Sequence, residues 1–251
     1  MYLNVRSYYS LCYGTISIEN LVEQARSLHI PSLALTDINN TMGIIDFVFE
    51  CKKCGIKPIA GCEFRNGDEL MYIAIAMNNE GFREINETLT LHNASKLPYN
   101  IDAPKWNNVF VIYPFGKRKL SQLADNEYIG VRLSQVSQLI TSDLRNHQEK
   151  LVIAQPVTFV DERSFEVHKN LRAIDKNILI SRLESHAVSD ESMLPPEKLR
   201  VAYALFQEMI KTTQDIVNQC GIDFDFETPK NKKCFTGIYI KFFLLNLKII
   251  N

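Results

Sequence analysis

The chain has 251 residues, 46% hydrophobic and 23% charged, a balance that supports a sizeable buried core and excludes disorder as the default. Lys and Arg number 28 against 29 Asp and Glu, so the net charge of -1 excludes the strong positive field of a protein that grips DNA mainly by its phosphates. Any contact with DNA is expected to be weak, indirect or supplied by other domains. The six cysteines have no disulfide-framework spacing and residues 1–15 carry no basic region leading into an apolar run, which points to a cytoplasmic setting.

In chain order, residues 2–6 are expected to form a strand. Ser17 then caps a segment with apolar Ile18, Leu21, Val22, Ala25 and Leu28 at helical spacing. Residues 31–36 follow as a buried strand, which makes residues 2–36 one βαβ unit. The next helix is expected over 42–53, with Ile45, Phe47 and Val48 among its apolar positions, and it stops at Gly55 before a strand at 56–60. A strand at 71–77, a helix at 81–91 and strands at 109–113, 128–131 and 151–155 come next. Repeated β then α predicts an α/β domain on largely parallel strands, either a barrel or a doubly wound sheet.

After Ser164 the pattern becomes helical, over 165–174 and in one long helix over 196–219. The apolar face of that helix is read as Leu199, Ala202, Leu205, Phe206, Met209, Ile210, Ile216 and Val217. A basic loop at 229–233 leads to an apolar tail with no turn residue and no clear period. The tail reads as a docking strand, a packing helix, or the product of a truncated or frameshifted reading frame. Lys241, Asn246 and Lys248 interrupt it, and it falls short of the roughly 20 residues that a membrane span requires.

Few residues carry chemistry by spacing alone. Cys51 and Cys54 have the gap of half a zinc site, but no second pair exists, so they read as reduced cysteines on a helix, with an incidental metal contact through Cys62 as the alternative. His29, His92, His147, His168 and His186 show no zinc-ligand spacing; His168 is the best placed for a hydrogen bond from a helix to the core. No phosphate-binding glycine loop or nucleophile elbow occurs. Asp37 and Glu63 each follow a buried strand, at the edge where α/β barrels gather their chemistry. Two acids at neighbouring strand ends either share a metal or a proton, or cap turns and helices.

Three segments in order, Ser7-Tyr-Tyr-Ser-Leu-Cys-Tyr-Gly14, Ala34-Leu-Thr-Asp-Ile-Asn-Asn-Thr-Met-Gly43 and Gly55-Ile-Lys-Pro-Ile-Ala-Gly-Cys-Glu63, resemble the opening of the alpha subunit of bacterial DNA polymerase III. The likeness continues through Asn78-Asn-Glu-Gly-Phe-Arg-Glu-Ile-Asn86 and Gln219-Cys-Gly-Ile-Asp-Phe-Asp-Phe226. It implies a polymerase-and-histidinol-phosphatase (PHP) domain over residues 1–235, a distorted (β/α)7 barrel, followed by the apolar tail over 236–251. In such domains the strand ends can hold a cluster of two or three metal ions that supports phosphoester hydrolysis, including 3'-5' exonuclease activity.

Most of that cluster does not carry over. The family's opening H-x-H pair falls on Asn4 and Arg6, its next acid on Tyr13, the histidine of its T-D-H-G-N stretch on Ile38, and its later N-D-x-H stretch on Pro156-Val-Thr-Phe159. Glu63 and Asp37 remain as vestigial metal candidates. Arg6 places a permanent positive charge where a dication would sit, so no cofactor is expected beyond residual Zn or Mn. The DNA-directed DNA polymerase label of the family rests on acids of a palm domain, which these residues do not include. The resemblance therefore implies a structural or protein-binding module whose partners are the polymerase core and the proofreading exonuclease subunit, with no membrane. The alternative is a residual metal-dependent phosphoesterase or 3'-5' exonuclease using Glu63 and Asp37 with His92 or His168.

Overall fold

The computed structural model describes residues 1–183 and 191–228. The expected boundary at 235, the basic loop, the apolar tail, His186 and Cys234 lie outside the described residues.

Eight strands and seven α-helices run in the order β1 (Asn4–Val5), α1 (Ile18–Ser27), β2 (Ser32–Leu35), α2 (Ile44–Cys54), β3 (Lys57–Asn66), β4 (Glu69–Ala76), α3 (Asn79–Ser95), β5 (Val109–Pro114), β6 (Glu127–Val131), α4 (Val136–Ile140), β7 (Leu151–Ile153), β8 (Pro156–Val157), α5 (Glu162–Lys176), α6 (Pro196–Ala202) and α7 (Gln207–Gln219). Strands β2 to β7 form one sheet in sequence order, and β1 pairs with β8. The Ala34 amide donates to the Tyr2 carbonyl at 3.0 Å and the Thr36 amide to the Val5 carbonyl at 2.8 Å, which joins β1 to β2 as well. Only Ala154 and Gln155 separate β7 from β8, so the two act as one bent strand that leaves β6 and reaches β1. The ring thus has seven strand positions, the distorted (β/α)7 barrel that the resemblance implied.

One strand breaks the parallel rule. β4 runs antiparallel to both β3 and β5, because Asn66 and Glu69 pair across a loop of two residues and a loop that short can join only antiparallel neighbours. Gly67 supplies the left-handed backbone for the turn, at φ 59.

Alternation along the strands sorts side chains into two layers. Leu33 and Leu35, Ala60 and Cys62, Val109 and Val111, and Leu151 and Ile153 point outward into the core shared with the helices. Ala34, Ile59, Ile73, Ile75, Phe110, Ile112 and Val152 fill the inner cluster, where Ile216, Val217 and Cys220 of the α7 end join them. The inner series of β3 continues as Gly61, Glu63 and Arg65, which carries Glu63 to the mouth of the barrel.

Local signals account for the helix ends. The Ser17 hydroxyl accepts the Asn20 amide at the start of α1, and α2 stops at Gly55 with φ 67. Helix α2 buries Ile44, Phe47, Val48 and Cys51, and leaves Ile45 on its exposed side. The long helix expected over 196–219 is instead two helices, α6 and α7. The chain turns inward at Tyr203, whose buried hydroxyl donates to the Val131 carbonyl at 3.0 Å, and at buried Phe206. Leu199, Tyr203 and Met209 enter the outer core, while Ile216 and Val217 at the end of α7 close the inner one. Ala202 and Leu205, expected on the apolar face, are exposed.

Tyr203→Phe keeps the ring and removes the hydroxyl that holds this break to β6. Loss of one buried hydrogen bond is expected to lower stability by about 1 kcal/mol, and Tyr203→Ala by about 3–5 kcal/mol, as read from urea denaturation midpoints.

Candidate functional site

The loop after β1 is folded onto the end of β2. The Ser10 amide donates to the Ser7 carbonyl at 2.9 Å, and the amides of Tyr13 and Gly14 donate to the Ser10 carbonyl at 3.0 and 2.8 Å. Gly14 packs so closely on the Ser7 carbonyl that any side chain would collide with it, so a glycine is required there. Asp37 ties this loop down. It accepts the Ser7 amide at 2.7 Å, the Ser7 hydroxyl at 2.8 Å and the Ser10 hydroxyl at 2.7 Å. Burial pushes the Asp37 carboxyl up, against the pull of those serine donors.

Glu63 has a different set of donors. Its backbone is linked to the stretch after β2, its amide donating to the Asp37 carbonyl at 3.1 Å and its carbonyl accepting the Asn39 amide at 2.9 Å. Its side chain is wholly buried and lies between two guanidinium groups. Arg6 donates to Oε2 from Nε at 3.0 Å and from Nη2 at 2.7 Å, while Arg65 Nε donates to Oε1. Burial pushes the Glu63 carboxyl up, but Arg6 and Arg65 outweigh that and hold it below its ordinary range.

Arg6 is the hub of the site and has no exposed surface. Besides Glu63, its Nη1 donates to Thr158 Oγ1 at 2.6 Å and to Glu191 Oε2 at 3.2 Å, and its backbone amide to the Val157 carbonyl at 2.9 Å. Glu191 also accepts the Thr158 hydroxyl at 2.6 Å and Arg132 at 3.4 Å. Burial draws the Arg6 guanidinium down, but Glu63, Tyr13 and Glu191 more than reverse this, and the group stays charged. The Tyr13 ring lies among three guanidinium carbons, 5.3 Å from that of Arg6, 4.7 Å from that of Arg65 and 5.1 Å from that of Arg172.

The two histidines considered for this site have other contacts. His168 on α5 is buried, its Nδ1 lies 2.7 Å from the Tyr13 carbonyl, and its ring meets the Tyr13 ring edge to face. That is the hydrogen bond from helix to core expected of it. Burial draws the His168 imidazole below its ordinary value. His92 on α3 instead stacks on Tyr99 at 3.9 Å. Cys51, Cys54 and Cys62 are free, and burial pushes the Cys51 and Cys62 thiols up, away from the thiolate that a metal takes.

A dication does not fit these residues. Three arginines crowd Tyr13, the Glu63 oxygens are already taken by Arg6 and Arg65, and Ile38 has no lone pair to give. Among the described residues no group of three His, Cys, Asp or Glu side chains is placed to hold a metal ion. Asp37 and Glu63 are neighbours through the backbone and answer to separate donors. Sequence reasoning missed Arg65, Arg132, Arg172, Thr158 and Glu191. Arg65 was within reach, since it stands two residues beyond Glu63 on the same strand and so on the same face. Glu191 carried no such signal, as it lies in no helix or strand.

Two outcomes follow for stability. Arg6→Met leaves Glu63 and Glu191 buried without a shared cation, and is expected to cost about 3–5 kcal/mol in urea unfolding. Acid should act in two stages. The unfolded chain takes up a proton on His168 near 6.5 while the folded site resists it, so stability begins to fall below about pH 6.5. Glu63, held below its ordinary 4.5, adds a second fall as pH drops from about 4.5 towards its lower folded value. His168→Asn should remove the first stage and leave the second, as measured by unfolding midpoints between pH 7 and pH 3.

The family model described as "PHP domain" matches residues 3–155. The DNA polymerase III subunit alpha of Halalkalibacterium halodurans is 22% identical over 269 residues, covering 93% of this chain and 24% of that protein. That of Escherichia coli K12 is 36% identical over 110 residues, 41% of this chain and 9% of that protein. The chain thus spans a quarter or less of the length of these relatives. A solved structure titled as a putative metal-dependent phosphoesterase from Bifidobacterium adolescentis is 12% identical, with a TM-score of 0.31 over 80% of this chain and 94% of that one. By its strand ring and by the match over residues 3–155, the chain belongs to the PHP domain family.

Proposed function

We propose that this chain serves as the PHP domain of a replicative DNA polymerase III alpha subunit and works without metal, as a structural and protein-binding module. The single observation that carries the reading is Arg6, a buried guanidinium bound to Glu63, Thr158 and Glu191 at the strand ends where the family can hold its ions. A fixed organic cation neutralises the remaining carboxylates but cannot activate a water or polarise a phosphoester as a metal does. Its partners are the polymerase core and the proofreading exonuclease subunit, and contact with DNA is weak or indirect, in keeping with the net charge of -1.

Elemental analysis of the purified chain should find Zn and Mn far below one ion per molecule, and a model phosphodiester should show no metal-dependent turnover. One tightly bound ion per chain, or hydrolysis that disappears in Glu63→Ala, would reverse the reading in favour of a residual phosphoesterase.

A further inference from the structure

We propose that the pocket at the mouth of the barrel binds a single carboxylate carried on an apolar group, with Arg65 as its anchor. The pocket, of about 440 Å³, is lined by apolar Leu11 and Ile38, by Tyr13, and by the cations Arg65, Arg172 and Lys176. This inference does not depend on the identity of any partner subunit.

The hydrogen-bond donors of the site single out Arg65. Below the pocket, Arg6 and Arg65 share Glu63, and Arg6 and Arg132 share Glu191. Asp37, the other acid nearby, is held by Ser7 and Ser10. Arg172, also in the lining, is already bound by Asp68 and Asp175, and Lys176 by Asp68. Arg65 is 7% exposed and uses only Nε, towards Glu63. Its Nη1 and Nη2 donate to no acceptor among the described residues, yet neither is sealed from the pocket as the Arg172 Nε is. Arg65 thus brings to the lining of the cavity a nearly buried guanidinium with two donors that have no acceptor among the described residues. A planar carboxylate matches such a pair of donors.

The other walls select the ligand. A phosphate dianion would bring its second charge against Asp68 and Asp175, which line the same pocket. Leu11, 72% exposed at the rim, and Ile38 offer instead an apolar wall for a hydrocarbon substituent.

The full chain would be titrated calorimetrically at low salt with N-acetyl-leucine, N-acetyl-leucinamide and inorganic phosphate. N-acetyl-leucine should bind saturably, and the amide and the phosphate about tenfold or more weaker. Arg65→Lys keeps a charge beside Glu63 but loses the two-donor edge, and should weaken binding about tenfold. Leu11→Asp alters only the exposed rim and should abolish binding with an unchanged circular dichroism spectrum, so it decides the matter if Arg65→Lys fails to fold. Absence of saturation, phosphate binding as tight as that of N-acetyl-leucine, or full binding in Leu11→Asp would each overturn the proposal.

Discussion

A guanidinium with no exposed surface has to be surrounded by acceptors, and most of the site can be understood as the company that Arg6 requires. Glu63 lies on one side of it, Glu191 and Thr158 on the other, and Tyr13 presents its ring face. These groups come from β3, from the residue after β8, from a segment beyond α5 and from the first loop. The charge therefore gathers parts of the chain that share no local structure. The arginine does this gathering with a fixed geometry and holds the strand ends together.

Asp37 has a role apart from that centre. It caps the turn that Ser7 and Ser10 make, and that turn presses the Gly14 backbone against the Ser7 carbonyl. The reading of Asp37 as a cap and the reading as a ligand were equally available from its position after a strand. In the structure Ser7 and Ser10 donate to the carboxylate, as they would to a cap.

Much of the architecture was legible because it rests on local rules. Ser17, Gly55 and the short apolar runs that form β5 and β6 placed elements to within a few residues. The antiparallel β4 was missed although the Asn66-Gly67 pair announces a tight turn, and the break at Tyr203 was missed because an amphipathic period does not reveal that two layers are being filled. At the site, Glu63 and Asp37 stood out as acids after strands, whereas their partners are set by the tertiary fold. Arg6 read as an obstacle to a metal, but its bonds to Thr158 and Glu191 span 152 and 185 residues and leave no local trace.

Those long spans bear on the order of assembly. The hairpin of β3 and β4 pairs neighbours in the chain and can form early, but the ring closes only where Asn4 meets Pro156 and Val5 meets Val157. Contacts between such distant residues carry the largest loop-closure entropy and are reached late. Until then Arg6 has no route to Thr158 or Glu191, and an open barrel exposes both its inner apolar layer and an unneutralised charge. The arginine thus works as a latch: it rewards closure of the sheet and penalises every half-closed form.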